Sequence, residues 1–335
     1  MTKLLSVFYI LIFANLIACT EPPVGSKNRP FTMYFVPAID ARTISLATDK
    51  VVDYVSKYVS KALYNKPTGF YVKGSIPSSY IAIVEAFGTN RADFAIFNTF
   101  GYILTKNVKK YPVEAILTVE RSNGKRTYYS QIIVRADSGI KTLKDLNGKR
   151  FAFSDPASTS GYIVPFNMLQ KAGIKLKSHV FAQKHDNVVT MVYQKQVNAG
   201  STYYDEPITK IVNGKKVKIL RDARARVITQ FPDVGKKIKV LAISEGIPNE
   251  PWMLRTNLYK DKVKNKKVKQ LIKQALLDFQ KTKKGHKALK ELYDMDKLVE
   301  VKDSAYDKIR KMILSTKLDL EGTLKKKDKK IKKKK

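Results

Sequence analysis

The chain has 335 residues, of which 64 are lysine or arginine and 29 are aspartate or glutamate, so its formal net charge is +35. Its single cysteine, Cys19, excludes disulfides within one chain and metal sites built from several thiolates. The length is sufficient for one large domain or for two lobes.

The first 18 residues have the pattern of an export signal. One early cation, Lys3, precedes an apolar run over residues 4–16, which is short for a membrane span. The following Leu-Ile-Ala-Cys at 16–19 resembles the bacterial lipobox, which implies that Cys19 becomes the lipidated first residue. An ordinary cleaved signal with an incidental cysteine is the alternative, although a lone exported thiol would be reactive.

Residues 19–30 contain three prolines and a glycine among polar residues, which predicts a flexible tether. The mature chain is therefore expected in the cell envelope, lipid-anchored on the outer side of a bacterial cytoplasmic membrane or in the periplasm. No later apolar run approaches the length of a membrane helix.

The first block after the tether alternates short apolar runs with segments of helical spacing. The predicted strands are 31–36, 70–73, 93–97 and 113–120. The predicted helices are 43–63 and a segment that begins at Ser78-Ser79-Tyr80. This alternation indicates an α/β sheet with parallel strands.

The alternation restarts with a long predicted strand at 129–135. Further strands are predicted at 149–154, 180–183, 196–200 and 238–244, with helices after Ser158 and over 186–194. From residue 259 onward the chain is expected to be helical. Two such blocks can form two lobes that face a cleft, where ligands bind beyond the carboxyl ends of the strands.

The lysines admit two explanations. Residues 325–335 hold nine lysines and one aspartate, a charge of +8 that leaves +27 elsewhere, and we predict that 321–335 form a disordered tail. The remaining excess could attract polyanions or anionic lipid headgroups. The alternative is a compositional bias, which we favour for most lysines. Those of 260–284 interleave with apolar residues as on the solvated face of an amphipathic helix.

Residues 155–161, Asp-Pro-Ala-Ser-Thr-Ser-Gly, place three hydroxyls and a glycine where a predicted strand turns into a helix. Backbone N–H groups from Ser158 onward should lack partners there, and the helix dipole is positive, so a phosphate or phosphonate head fits. A helix N-cap explains the same residues, because serine and threonine are preferred at caps. From this segment alone the capping explanation is favoured.

Several motifs together resemble a known family. Residues 138–150 lead into the Asp-Pro-Ala-Ser-Thr-Ser-Gly run, and His185, residues 196–200 and Ile-Pro-Asn-Glu-Pro-Trp at 247–252 follow. This order resembles the substrate-binding lipoproteins of phosphonate and phosphite ABC transporters over residues 31–258. The resemblance implies an α/β type II periplasmic-binding-protein fold. In that fold two α/β lobes are joined by two crossing strands, with a cleft between the lobes.

The resemblance also implies a domain organisation. We place the crossings near 129–132 and 241–244, so that the first lobe comprises 31–128 and 245–320 and the second lobe comprises 129–244. The implied function is capture of a small phosphonate, phosphite or phosphate-type anion by hinge closure, with delivery to a membrane ABC permease. A monomer is expected, with no cofactor, no metal and no specific nucleic-acid partner.

Ten ligand-binding residues are implied where the family pattern matches this sequence. They are Tyr80, Phe97, Asn98, Thr99, Ser158, Thr159, Ser160, His185, Asp205 and Glu250. Phe97 stands where the family often has tyrosine, and phenylalanine has no side-chain donor, so Asn98, Thr99 or Tyr102 could substitute. Asp205 and Glu250 align with acids that meet a ligand amine in aminoalkylphosphonate binders. The histidines 179 and 286 are expected at the surface, and Trp252 in lobe packing.

Other functions are also considered. An enlarged cleft could take an organic phosphate such as thiamine pyrophosphate, and the partner could be a sensor kinase instead of a permease. A basic surface lipoprotein that binds polyanions through the lysine tail is a further alternative. An enzyme is not expected, because the sequence has no carboxylate pair, nucleophile triad, metal-ligand cluster or phosphate-binding loop with supporting spacing.

Overall fold

A computed structural model describes residues 21–315 except for 39, 122, 123 and 213. The predicted signal peptide, the predicted lipidation site at Cys19 and the lysine tail at 321–335 lie outside the described residues. Within the described part of the chain, no helix combines the length and apolarity that crossing a bilayer requires.

The first six-stranded sheet has the order β14–β4–β13–β3–β1–β2. Strand β1 pairs in parallel with β2 and β3, whereas β13 runs antiparallel between β3 and β4. The strands are β1 (Phe31–Phe35), β2 (Val72–Ser75), β3 (Phe94–Ile96), β4 (Val113–Glu120), β13 (Pro251–Arg255) and β14 (Lys297–Glu300). Strand β14 breaks the C-terminal part that was predicted to be helical throughout, so that prediction was wrong there.

Six helices accompany this sheet, and together they form what we call the first lobe. They are α1 (Ala41–Tyr64), α2 (Tyr80–Gly88), α3 (Thr99–Ile103), α7 (Lys262–Phe279), α8 (Lys283–Tyr293) and α9 (Asp307–Ser315). Helix α1 buries Ile44, Ala47, Val51 and Val55, whose spacing of three or four residues makes one apolar face. Its N-terminus is capped by the Asp40 side chain, which accepts from the Thr43 amide at 2.9 Å.

The second sheet has the order β11–β5–β8–β6–β7, and the short β12 also pairs with β5. The strands are β5 (Thr127–Arg135), β6 (Arg150–Phe153), β7 (Ser178–Phe181), β8 (Ala199–Tyr204), β11 (Ile238–Ile243) and β12 (Ile247–Pro248). The accompanying helices are α4 (Val164–Lys171), α5 (His185–Tyr193) and α6 (Val234–Lys237), and we call this unit the second lobe.

The two-sheet α/β architecture predicted from the sequence is confirmed. The chain passes from the first sheet to the second between β4 and β5, and it returns between β12 and β13. The segments predicted as crossings pair with one another inside the second sheet, where Gln131 lies opposite Ile243. Trp252 is fully buried in β13 and packs edge-on against Phe94 at 5.9 Å.

A separate hairpin, which the sequence reading missed, is formed by β9 (Ile208–Val212) and β10 (Lys215–Ile219). It leaves the second sheet after β8 and lies at one wall of the space between the lobes. Gly214 in its turn has a φ of +74°, the left-handed conformation that two-residue hairpin loops favour.

Candidate functional site

A cavity of about 830 Å³ opens between the two lobes and is lined by residues of both. Eight of the ten residues predicted to bind ligand lie in its wall: Tyr80, Asn98, Ser158, Thr159, Ser160, His185, Asp205 and Glu250. The other two, Phe97 and Thr99, are fully buried and do not line it. The Phe97 ring packs against Tyr80 at 6.4 Å, and the Thr99 hydroxyl donates to the Pro248 carbonyl at 2.7 Å.

The turn after β6 caps the helical segment Thr159–Ile163 and also leaves backbone N–H donors unpaired. The Ser158 hydroxyl accepts from the Gly161 amide at 3.1 Å, and the Ser158 amide donates to the Asp155 carbonyl at 2.9 Å. The row of amides expected to begin at Ser158 therefore begins one residue later. The amides of Thr159 and Ser160 have no acceptor from the described protein.

Neighbouring serines and one glycine hold this turn in place. The hydroxyls of Ser130 and Ser201 donate to the carbonyls of Ser160 and Gly161 at 2.6 and 2.8 Å. At Gly161 a Cβ atom would lie 1.8 Å from Ser154 Oγ and 2.9 Å from His185 Cε1. Only glycine fits there, because the backbone approaches both side chains too closely for any larger residue.

Two predicted site residues join the lobes. Asn98, from the first lobe, donates through its Nδ2 to the Ala157 carbonyl at 2.9 Å. The Thr159 hydroxyl donates to Asn98 Oδ1 at 3.3 Å and accepts from the Phe100 amide at 2.8 Å. Both side chains are therefore engaged across the cleft.

His185 is the first residue of α5 and lies against the turn, with its Nε2 3.5 Å from Ser158 Oγ. Burial lowers the pKa of His185 to about 4, because the low-polarity surroundings disfavour the charged ring. Its Nδ1 is buried and has no hydrogen-bond partner within the described protein. The imidazole is thus neutral at pH 7, and one ring nitrogen is available to a ligand.

Tyr128 completes the same wall and was not among the predicted residues. It precedes the predicted start of β5, lines the cavity and contacts the hydroxyls of Ser160 and Thr159. Burial and the nearby Glu250 carboxylate raise the pKa of Tyr128, so its hydroxyl stays protonated and can donate.

The two acids aligned with amine-binding positions are both paired with arginines. Both carboxylate oxygens of Glu250 accept from Arg121 at 3.0 Å. Asp205 lies 3.2 Å from Arg221, an ion pair without hydrogen-bond alignment, and Arg221 also reaches Asp294 of the first lobe at 2.9 Å. Among the described residues, no group of three or more His, Cys, Asp or Glu side chains is placed to hold a metal ion.

Comparison with known proteins identifies the family to which this chain is similar. The family described as "ABC transporter, phosphonate, periplasmic substrate-binding protein" matches residues 33–306. The "Phosphate-import protein PhnD" of Mycolicibacterium smegmatis is 27% identical over 211 residues, which are 58% of this chain and 62% of that protein. The "Phosphonates-binding periplasmic protein" of Escherichia coli is 28% identical over 208 residues, 59% of this chain and 56% of that protein. The match therefore spans less than two thirds of either relative.

Solved structures show the same fold. A binding protein component of an ABC phosphonate transporter from Pseudomonas aeruginosa has a TM-score of 0.67 at 19% identity, covering 93% of this chain and 96% of that one. PhnD1 from Prochlorococcus marinus, in complex with methylphosphonate, has a TM-score of 0.67 at 16% identity, covering 84% and 96%. The chain therefore has the predicted type II periplasmic-binding-protein fold, and it belongs to the family of periplasmic substrate-binding proteins of phosphonate ABC transporters.

Proposed function

We propose that this chain captures a phosphorus oxyanion, a phosphonate, phosphite or phosphate, in the cavity between its lobes and delivers it to an ABC permease. One observation carries the proposal. The free amides of Thr159 and Ser160, the Ser160 and Tyr128 hydroxyls and the neutral imidazole of His185 meet in one wall of one interlobe cavity.

These groups suit a compact, highly charged head. They supply several donors without placing a full positive charge against the anion, as backbone amides do at phosphate sites. Hydrogen bonds to a charged group are worth about 1.5–3 kcal/mol each where water is excluded. An anion that left one of these buried donors unpaired would be rejected for that reason rather than for its size.

Capture by closure of the lobes follows from the contacts that already bridge them. Asn98 to Ala157 and Arg221 to Asp294 both connect the first lobe to the second. A ligand seated on the Thr159 and Ser160 amides would lie next to the contact that the Thr159 hydroxyl makes with Asn98. Closure would then sequester it from water, as in other hinged binding proteins.

A bulkier organic phosphate is the second candidate, and the cavity volume favours it. About 830 Å³ lies in the upper part of the ~300–1,000 Å³ range that holds drug-sized ligands. A head group with one methyl substituent fills only a small part of that space. A substituent on phosphorus would therefore have room along the wall formed by Tyr203, Ile208 and Leu220.

The remaining parts of the proposal concern location and assembly. We propose that the chain acts as a monomer, catalyses no reaction and is held at the membrane through a lipid on Cys19. The Cys19→Ala variant should then move from the membrane fraction to the soluble fraction of cells. Mass spectrometry of the wild-type N-terminal peptide should show the added acyl groups, and an unmodified Cys19 would remove the anchor from the proposal.

The ligand itself is tested by thermal unfolding and calorimetry of the purified protein with methylphosphonate, phosphite, phosphate and thiamine pyrophosphate, with sulfate as the control oxyanion. A ligand present at a hundredfold excess over its Kd stabilises the folded state by about 2.7 kcal/mol. At least one phosphorus compound should give such a stabilisation and sulfate should not. If none of the four phosphorus compounds raised the unfolding temperature, the result would contradict the proposed function.

A further inference from the structure

Five cationic side chains line the cavity, and three of them are paired with acids. Arg121 is paired with Glu250, Arg221 with Asp205 and Asp294, and Lys290 with Asp294 and Asp296. The other two, Lys210 and Arg226, have no ion pair with any described residue. The cavity therefore presents two cations without ion pairs. Each of the five carboxylates that line it has an ion-pair partner, namely Asp205, Asp222, Glu250, Glu291 and Asp294.

Arg226 lies along the same wall as the proposed phosphoryl site. It belongs to the single helical turn Ala223–Val227, and its guanidinium interacts with the Tyr203 hydroxyl. The Tyr203 ring meets the His185 ring edge-on at 5.1 Å, and His185 in turn contacts Ser158. Two rings thus separate Arg226 from the turn that holds the head group.

The surroundings of Arg226 differ from those of its neighbour Arg224. Arg224 is buried, holds Asp222 through three nitrogen–oxygen contacts of 2.6–3.2 Å and donates to the Ile238 carbonyl, so its donors serve the fold. Arg226 is accessible to solvent. The carboxylates of Asp294 and Asp186 act on it electrostatically, but neither forms an ion pair with it. Its guanidinium keeps donors available for an incoming group.

Lys210 approaches the same space from the hairpin. Successive side chains of a strand point to opposite faces, and Ile208, Lys210 and Ile219 all line the cavity. Ile211, which is 74% exposed, and its partner Lys216 belong to the other face. The inner face of the hairpin therefore carries Lys210, which lines the cavity, and Lys215 beside the turn, which does not, whereas Lys216 and Lys218 point outward.

We propose that Arg226 and Lys210 form a second anionic subsite. The ligand would then be an organic phosphate or phosphonate that carries a second acidic group, a carboxylate or a further phosphate, on its substituent. A guanidinium pairs with such a group through two parallel hydrogen bonds, and a nearby ammonium adds charge. This inference rests on the proposed function, since it takes the Thr159 and Ser160 end as the site of the phosphoryl head.

The test compares phosphonates that carry an acidic tail with phosphonates that carry an uncharged alkyl tail of equal length. Calorimetry would measure Kd for phosphonoacetate, 3-phosphonopropionate and 5-phosphonopentanoate against ethyl-, propyl- and pentylphosphonate. At least one acid-tailed probe should bind the wild-type chain tenfold or more tightly than its alkyl counterpart. That preference should vanish in the Lys210→Gln/Arg226→Gln double variant and fall in Lys210→Gln alone, whose exposed position keeps folding intact.

The Lys216→Gln/Lys218→Gln variant is the matched control, because it also removes two positive charges, but from the outer face of the hairpin. The preference should survive in it. Equal Kd values for acid and alkyl probes at every length would overturn the inference, and so would a preference that persists in the double variant or is lost equally in the control. A chain that binds the alkylphosphonates but shows no preference refutes only the second subsite. A chain that binds no phosphonate and no phosphate refutes the proposed function and this inference together.

Discussion

Thr159 of the second lobe and Asn98 of the first are joined across the cleft by a hydrogen bond of 3.3 Å, from the threonine hydroxyl to the amide oxygen. The same hydroxyl accepts from the Phe100 amide at 2.8 Å. A residue of the proposed anion-binding turn is thus also part of the contact that holds the lobes together, so ligand binding and closure share atoms.

Replacement of Thr159 by valine should weaken ligand binding chiefly through closure. The isosteric side chain keeps the volume but removes both hydrogen bonds, each worth about 0.5–1.5 kcal/mol. We expect a five- to a hundredfold rise in Kd, with faster dissociation, and a larger radius of gyration in solution scattering with ligand absent. The exposed Thr209→Val on the hairpin is the control. An unchanged Kd and radius for Thr159→Val would separate this residue from closure.

Gly161→Ala should disrupt the anion-binding turn, because the added Cβ would stand 1.8 Å from Ser154 Oγ. Overpacking of this kind costs about 1–3 kcal/mol, which urea unfolding measures, and ligand binding should be lost with it. The Ser154→Gly/Gly161→Ala double variant removes the serine side chain that the new Cβ would meet, and it should restore part of the stability and part of the ligand binding.

The control for this change is Gly235→Ala. That helical glycine has no positive φ, and a Cβ there would have an ordinary contact of 3.4 Å with Leu220. It should be neutral or slightly stabilising. Wild-type stability for Gly161→Ala would show that the turn relaxes, contrary to the close approach at this position.

The sequence predicted the two-sheet architecture and eight of the residues that line the cavity because both leave local signals. The Ser-Thr-Ser-Gly turn follows a buried strand, and His185 begins a helix within the family pattern. Tyr128 was missed because it is separated from that turn by thirty residues of chain, and the sheet brings them together by pairing both β5 and β6 with β8. Its single usable signal was its place immediately before the predicted strand.

Other differences have similar causes. The hairpin over 208–219 carries an Asn-Gly turn between two β-prone runs, a recognisable signal that was passed over. Strand β14 has only four residues and follows two helices, so local pattern could not distinguish it. The pairing of Glu250 with Arg121 and of Asp205 with Arg221 depends on tertiary contacts, which sequence spacing does not encode.

Tyr128→Phe should lower ligand affinity and leave the fold intact. The hydroxyl contacts Ser160 and Thr159 and is the proposed donor to the anion, and loss of one charged hydrogen bond is worth about 1.5–3 kcal/mol, or roughly ten- to a hundredfold in Kd. The neighbouring Tyr129→Phe is the matched control, because alternation along β5 directs that side chain to the other face. Equal Kd values for the two variants would exclude Tyr128 from the site.

His185 should make the stability of the unliganded protein depend on pH. Its pKa is about 4 in the folded state and about 6.5 when unfolded, so the unfolded chain binds the proton more tightly. Stability from this group is complete above pH 6.5 and is lost as the pH falls toward 4, reaching a loss of about 2 kcal/mol at pH 5. Urea unfolding at pH 7 and pH 5 measures it.

The comparison variants for this pH effect are His185→Gln and the exposed His286→Gln. The first should remove the extra loss of stability between pH 6.5 and 4, whereas the second should retain it. A wild-type chain whose difference between pH 7 and pH 5 matches that of His185→Gln would mean that the imidazole is not held neutral in the folded protein.

The ion pairs of the cavity predict how the protein treats a ligand amine. Glu250 gives both oxygens to Arg121, and Asp205 is paired with Arg221, so an ammonium group would have to displace an arginine to reach either of these carboxylates. We expect 2-aminoethylphosphonate to bind no more tightly than ethylphosphonate, which has the same chain length without the charge. Competition calorimetry measures the ratio of the two Kd values directly. A tenfold preference for the amine would show that at least one of these ion pairs opens when ligand binds, and would restore the amine-binding roles implied for Asp205 and Glu250.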